Sequence, residues 1–437
     1  LPIAYKDVFD NSTVMDLAAH VRRLRGEEEE EQETAPKEGA PVGETTPAGE
    51  SYLAHNALAF LEEIAPERPL GRVLLTGCSG FLGIHILREL LRQEVPVLAM
   101  VRGAQDLEAR LRLQGMLMYY FDSPLDEEMD RLVRVVDADV TSGNLKELLE
   151  KESFDTIINC AALVKHFAVD DSIERVNVGG VQNMIALARE KKARLIQIST
   201  LSVAGENIDG KFPESFRLYE TQLAVGQDIS NKYIHSKYMG EKALLEATEQ
   251  GLDGKVIRVG NLMGRQSDGE FQINSITNGF IRDLRGYKAL GCFPVTGCDT
   301  RVDFSPIDEV AKAVLLLAQT PRAFTLFHVA NSHEVEMGDL IEAMNQAGFS
   351  IEVVPEAAFN SRLAAMMEDD ASNMLVSSLI NYASSDQKLH QYILTDNRFS
   401  IKSLYRLGFK WPITDRAYLV NVIEALKSLD FFERSDV

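Results

Sequence analysis

Residues 72 to 83 read RVLLTGCSGFLG. A stretch of strand character, Arg72–Thr76, runs directly into three glycines, Gly77, Gly80 and Gly83, and a helical stretch, Phe81–Gln93, follows. Three glycines at this spacing are a weak signal alone. Their place between a strand and a helix gives them weight. Glycine permits the tight turn and lets the backbone approach a pyrophosphate, whose charge then sits at a helix N-terminus. The pattern predicts a dinucleotide loop lined by Thr76, Gly77, Ser79, Gly80, Phe81, Leu82 and Gly83.

Outward from this loop the alternation recurs. Strands rich in Val, Leu and Ile are predicted at Val97–Val101, Leu132–Val136, Thr156–Cys160, Arg194–Ser199 and Lys255–Val259, with helices at Val178–Lys191 and Tyr233–Gln250. Strand-helix alternation at this spacing argues for an α/β fold, a doubly wound Rossmann-type parallel sheet covered on both faces. From about Gly264 the order becomes irregular, with helices near Ile307–Gln319, Met337–Gln346 and Thr414–Leu429. The dinucleotide-binding domain is therefore expected at residues 53–330, with an insertion at about 264–305. A smaller, mostly helical substrate lobe is expected at 331–437.

The chain has 437 residues and a formal net charge of −21, unevenly spread. Residues 27–52 carry nine Glu against one Lys, with Pro, Gly and Thr and hardly an apolar side chain. Such a segment cannot bury enough surface to order itself and reads as a flexible acidic linker. Residues 1–26 hold Leu17, Val21 and Leu24 at helical spacing, after a Ser12 or Thr13 cap, in too little chain to fold alone. Leu1 reads as a cut end, with no signal peptide. The acidity argues against nucleic-acid binding through a basic face. No apolar run approaches the roughly 18–20 residues of a membrane span. Cys78, Cys160, Cys292 and Cys298 form no Cys-x-x-Cys pair and have no His cluster at zinc spacing. A reduced, cytoplasmic protein without a metal site is the simplest expectation.

The end of the second strand bears on the cofactor. An NAD site wants a carboxylate there for the ribose 2′-hydroxyl. This chain has Val101-Arg102-Gly103, and Arg102 suits a 2′-phosphate instead. Arg112 could add a second contact, so NADPH is favoured. Asp139 and Val140 follow the third strand, where an adenine edge would lie, and Ala161, Ala162 and Leu163 follow the fourth. Strand five ends at Ser199-Thr200, whose hydroxyls could reach a carbonyl over the nicotinamide. Tyr233 and Lys237 share one helix face. The ammonium is expected to lower the Tyr pKa from roughly 10, and the Tyr to donate to an oxygen that gains charge. Tyr238 and Lys242 repeat the spacing about 140° around the helix, so both pairs cannot face the cofactor.

Six strings taken together resemble the extended short-chain dehydrogenase/reductase superfamily. They are TGCSGFLG from Thr76, VRG from Val101, NCAALVKHF from Asn159 with NVGG from Asn177, ISTLSV from Ile198, VGQDISNKYIHSKYMGE from Val225 and RVGNLMGRQSDGEFQIN from Arg258. Within that superfamily they look like the terminal thioester reductase domains of nonribosomal peptide synthetases, over about residues 55–330. The resemblance implies Thr200, Tyr233 and Lys237 as the catalytic set, and adds Asn177, Val259 and Asn261 to the NADPH site. Residues 1–26 resemble the last part of a peptidyl or acyl carrier domain. The implied partner is an upstream carrier delivering a phosphopantetheine thioester. The implied activity is reductive release of an aminoacyl or peptidyl chain as an aldehyde, or as an alcohol after a second hydride. The excised domain is expected to be monomeric, and Ala204–Ile229 to gate the substrate. Two readings remain beside it. One is another reductase of the superfamily acting on a sugar nucleotide or small carbonyl compound. The other is a non-catalytic dinucleotide-binding module, although such modules usually lose the Tyr or the Lys.

Overall fold

Short strands that are apolar along their whole length belong in a sheet buried on both faces. Seven short, largely apolar strands form the centre of the computed structural model: β1 (Val73–Thr76), β2 (Val97–Val101), β3 (Val133–Asp137), β4 (Thr156–Asn159), β5 (Arg194–Thr200), β6 (Gly254–Val259) and β7 (Leu326–Val329). Their order is β7-β6-β5-β4-β1-β2-β3, and every pairing is parallel. The order reverses between β1 and β4, where Thr76 lies opposite Asn159. A crevice at that reversal is where sheets of this kind bind ligands. Strand β7 was not foreseen, because its four residues follow the irregular stretch from Gly264 and include the polar His328, with no clear strand-helix alternation around them.

The structure describes residues 51–103, 107–164, 171–279, 281–368, 376, 379 and 391–433. The carrier-like segment 1–26 and the linker through residue 50 lie outside it, as do His166, which from sequence could touch substrate after the fourth strand, and Phe280, which with Phe271 could line an acyl pocket.

Side-chain alternation along the strands sorts the helices into two layers. Val73 and Leu75 face α1 (Phe81–Arg92) and α5 (Ile307–Ala318), with α2 (Ala109–Phe121) alongside. Leu74, Leu98 and Ile157 face α3 (Gly180–Lys191) and α4 (Lys232–Glu249). A further apolar cluster joins Phe271, Leu284 and Phe293 of the 264–305 stretch to α6 (Met337–Gln346) and α8 (Arg416–Ser428).

Packing does not divide simply at residue 330. Phe399 and Leu404 on α7 (Arg398–Arg406), with Phe409 and Trp411, join the core of the sheet beside Phe327. Just before α7, Gln391–Tyr392 pairs antiparallel with Glu206–Asn207, and Leu394–Thr395 pairs parallel with Arg217–Leu218. This strap ties the C-terminal part to the segment between β5 and α4. Among the described residues no helix is long and apolar enough to cross a membrane.

Candidate active site

The glycine loop is built for close backbone approach. Gly77 has φ +67°, and a Cβ there would stand 2.7 Å from the backbone of Cys160 and Ala161. A Cβ on Gly83 would stand 2.1 Å from the carbonyl oxygen of Gly77. Gly80 caps α1 without a side chain, and the first turn of α1 contains no acid. Bare N–H groups at a positive helix end, reached over a surface without side chains, fit a pyrophosphate. Leu82 is buried, Ser79 is half-buried, and the Phe81 ring packs on Phe271 and Tyr120.

At the end of β2 the chain is held from two sides. Gly103 N donates to Asp137 Oδ1 at 2.8 Å, and Arg112 Nη1 donates to the Arg102 carbonyl oxygen at 2.8 Å. Arg112 thus steadies the turn that carries Arg102. The Arg102 side chain is 67% exposed and meets Asp139 Oδ2 at 3.3 Å. Burial pushes the Asp139 carboxyl up, but hydrogen bonds from Thr141 and the charge of Arg102 leave it below its ordinary value. Val140 is buried, and its carbonyl oxygen accepts from Asn183.

Asn177 was expected to line the cofactor. It lies in a π-helical turn, Arg175–Gly179, just before α3. Its side chain bonds both the N–H and the C=O of Leu163 and donates to Ser236 Oγ at 3.0 Å. It therefore ties the loop after β4, where Ala161 is half-buried and Ala162 exposed, to α4. Asn261 is likewise engaged, with its backbone N–H and Nδ2 both donating to Asp303 at 2.8 Å. Val259, which ends β6, is buried.

Thr200 ends β5. Its Oγ1 accepts from Ser202 N at 3.1 Å and donates to Ser202 Oγ at 3.1 Å. Asn231 caps α4 by accepting from Tyr233 N and Ile234 N, which sets the first turn of that helix. One turn on, Lys237 is buried, and its Nζ donates to the Ile198 carbonyl oxygen at 2.7 Å. Burial lowers Lys237 to about 8, against the opposing charge of Glu241. The expected lowering of Tyr233 is reversed: burial pushes its hydroxyl up to about 12. Tyr238 packs into the apolar cluster beneath α3 and α4.

A polar ladder missed from sequence supports the lysine. Thr76 Oγ1 donates to Asn159 Oδ1, Asn159 Nδ2 donates to Gln197 Oε1 at 2.7 Å, and Gln197 Nε2 donates to the same Ile198 carbonyl that Lys237 uses. Thr76, Asn159 and Gln197 stand in one register row across β1, β4 and β5. The available signal was a polar residue at the end of β1 and of β4, and Gln197 between two isoleucines in β5.

Residues 75–314 match the family model described as Male sterility protein, an NAD-binding family. Among solved structures, the chain is similar to a thiolation-reductase di-domain from an archaeal non-ribosomal peptide synthetase. The identity is 34% and the TM-score 0.77, over 88% of this chain and 97% of that one. It is also similar to the aureusimine biosynthetic cluster reductase domain, at 28% identity and a TM-score of 0.69, over 84% of this chain and 93% of that one. The L-2-aminoadipate reductase large subunit of Candida glabrata is 26% identical over 94% of this chain, which spans 31% of that relative. The chain belongs to the Male sterility family of NAD-binding domains, within the extended short-chain dehydrogenase/reductase superfamily, and is homologous to the terminal reductase domains of nonribosomal peptide synthetases.

Proposed function

We propose that the chain is an NADPH-dependent reductase that releases a carrier-bound aminoacyl or peptidyl thioester as an aldehyde. One observation carries the reading. The acid-free helix end behind Gly77, the arginines after β2, and Thr200, Tyr233 and Lys237 all belong to the carboxyl edge of one parallel sheet. Gly77, Gly80, Gly83, Arg102, Asp139 and the loop Ala161–Leu163 would hold the dinucleotide, with Arg102 on the 2′-phosphate. When bound, NADPH supplies the hydride.

The side chains do the rest. Tyr233 keeps its proton at neutral pH and donates a hydrogen bond to the thioester oxygen as that oxygen gains charge. Thr200, by turning its hydroxyl away from Ser202, becomes a second donor. Lys237, anchored on Ile198, contributes its charge and its remaining N–H groups. The C–S bond then breaks, the pantetheine sulfur takes a proton, and one NADPH is oxidised per aldehyde and per thiol. The carrier-like residues 1–26 and the acidic tether 27–52 support delivery from an upstream carrier in a cytoplasmic setting. A second hydride would give the alcohol.

The test is to load a carrier with an aminoacyl or peptidyl thioester and follow NADPH absorbance, free thiol and trapped aldehyde together. Equal yields are expected, and Tyr233→Phe should abolish turnover while NADPH still binds. Thiol release without NADPH oxidation would defeat the reading. Full activity of Tyr233→Phe would move the role to Tyr238.

A further inference from the structure

Helix α4 is fastened to the sheet by a fully buried ion pair. Glu241 lies one turn after Lys237. It accepts from Arg258 Nε at 3.1 Å and Nη2 at 2.8 Å, and neither side chain is exposed at all. Arg258 on β6 stands in register with Ser199 on β5 and His328 on β7, in the row immediately before Thr200. Its Nη1 lies 3.0 Å from His328 Nε2. A guanidinium only donates, so Nε2 must accept and the ring proton sits on Nδ1. From there it is donated to the Asp396 carbonyl oxygen at 2.7 Å. Burial and the facing guanidinium hold the His328 pKa well below its ordinary value, so the ring is neutral.

The contacts continue beyond the ring. His328 N donates to Ser400 Oγ at 2.8 Å, and Ser400 donates from both N and Oγ to Glu220. Glu220 belongs to the segment between β5 and α4. Asp396 and Ser400 follow the strap that pairs with that segment. One buried chain of polar contacts thus runs from Glu220 in the β5–α4 segment, through Ser400 on α7, His328 and Arg258, to Glu241 one turn after Lys237. Stability alone is a weak reason for it, since a buried ion pair is often no better than well-packed apolar residues of the same volume. What a planar fork held at both ends supplies is orientation.

We propose that His328 is a positioning residue for hydride transfer. It holds Arg258, and through Glu241 the Lys237 turn, in the orientation that the strap sets. The inference rests on the reductase reading above, and it gives the strap a part in the chemical step.

The test compares His328→Phe, His328→Gln and His328→Asn in the full chain, with a carrier-loaded thioester. Gln can put an amide oxygen where Nε2 accepts from Arg258. Asn can put an amide nitrogen where Nδ1 donates to Asp396. His328→Phe is expected to lower kcat by about 10- to 100-fold, the scale of a small misplacement of reacting groups. KM for the thioester and NADPH affinity should hardly change. Gln should restore most of kcat and Asn should not. Wild-type kcat in the Phe variant, a loss confined to KM, or equal rescue by Gln and Asn would overturn the proposal. Ser400→Ala leaves both ring contacts intact and covers the case in which Phe does not fold. A smaller kcat loss is expected there, and none would count against the proposal. Amide exchange over residues 233–237 reads the same comparison without turnover, faster in Phe and restored in Gln. A wild-type chain that never oxidises NADPH with thioester would defeat the reductase reading alone. The exchange data would still decide the positioning, and identical exchange in all variants would overturn it.

Discussion

Glu241→Gln removes one charge from the buried pair while keeping its shape. Arg258 would be left with a neutral amide oxygen, His328 Nε2 and the Gln222 carbonyl oxygen at 3.4 Å. Breaking a fully buried pair from one side costs about 3–5 kcal/mol, because the remaining charge has no water to turn to. For a chain of this size that corresponds to a fall in Tm of roughly 4–6 °C. Replacing both partners, Glu241→Gln with Arg258→Met, strands no charge and should recover most of the loss. The substitution also acts on Lys237. Burial lowers that lysine to about 8, and Glu241 is the first group opposing the shift. If the charged lysine is the active form, kcat/KM is present below that value and lost as pH rises through it. Without Glu241 the alkaline fall should move toward neutral pH. Thermal melts and NADPH oxidation from neutral to alkaline pH measure both effects. A Tm at the wild-type value, or a double variant no more stable than the single one, would refute the reasoning.

Gly77→Ala forces a side chain into the left-handed region, at about 1–2 kcal/mol, and against backbone atoms that cannot yield. NADPH affinity should fall by about tenfold or more in a fluorescence titration, and wild-type binding would refute the cradle. Arg102→Ala should cut the preference for NADPH over NADH by about 10- to 100-fold, since charge-assisted contacts contribute roughly 1.5–3 kcal/mol. Unchanged discrimination in steady-state kinetics would remove Arg102 from the 2′-phosphate. Burial pushes Glu220 up to about 7, against hydrogen bonds that include those from Ser400. A raised carboxylate favours folding below its ordinary value, and that contribution is lost as pH rises through about 7. The wild-type Tm should therefore fall more steeply across that window than that of Glu220→Gln, and parallel curves would exclude the titration.

The fold was legible because a parallel sheet buried on both faces writes itself as runs of Val, Leu and Ile. Predicted strands such as Leu132–Val136 differ from the observed Val133–Asp137 by one residue. Helix α2 could not be bounded from sequence although Ala109, Leu113, Leu117 and Tyr120 bury one face, because Leu111, Met118 and Tyr119 blur the stripe with apolar side chains on other faces. The glycine loop was readable for a different reason. Its chemistry is local, and every residue it needs lies within one turn and the start of one helix.

The supports of the candidate site were not local. Gln197, Arg258 and His328 each have apolar neighbours on both sides in the strand, where each looks like an isolated irregularity. Their meaning comes from register: Asn159 beside Gln197, and Arg258 between Ser199 and His328. Register between parallel strands is set by crossover helices and packing over scores of residues, which no window on the sequence contains. The same holds for the strap, since nothing near Gln391 announces that it will pair with Glu206. A polar residue breaking an apolar strand is costly unless a partner meets it. Several such residues in successive strands are therefore a signal, and here they converge on the carbonyl of Ile198 and on Glu241, the two groups that hold and balance Lys237.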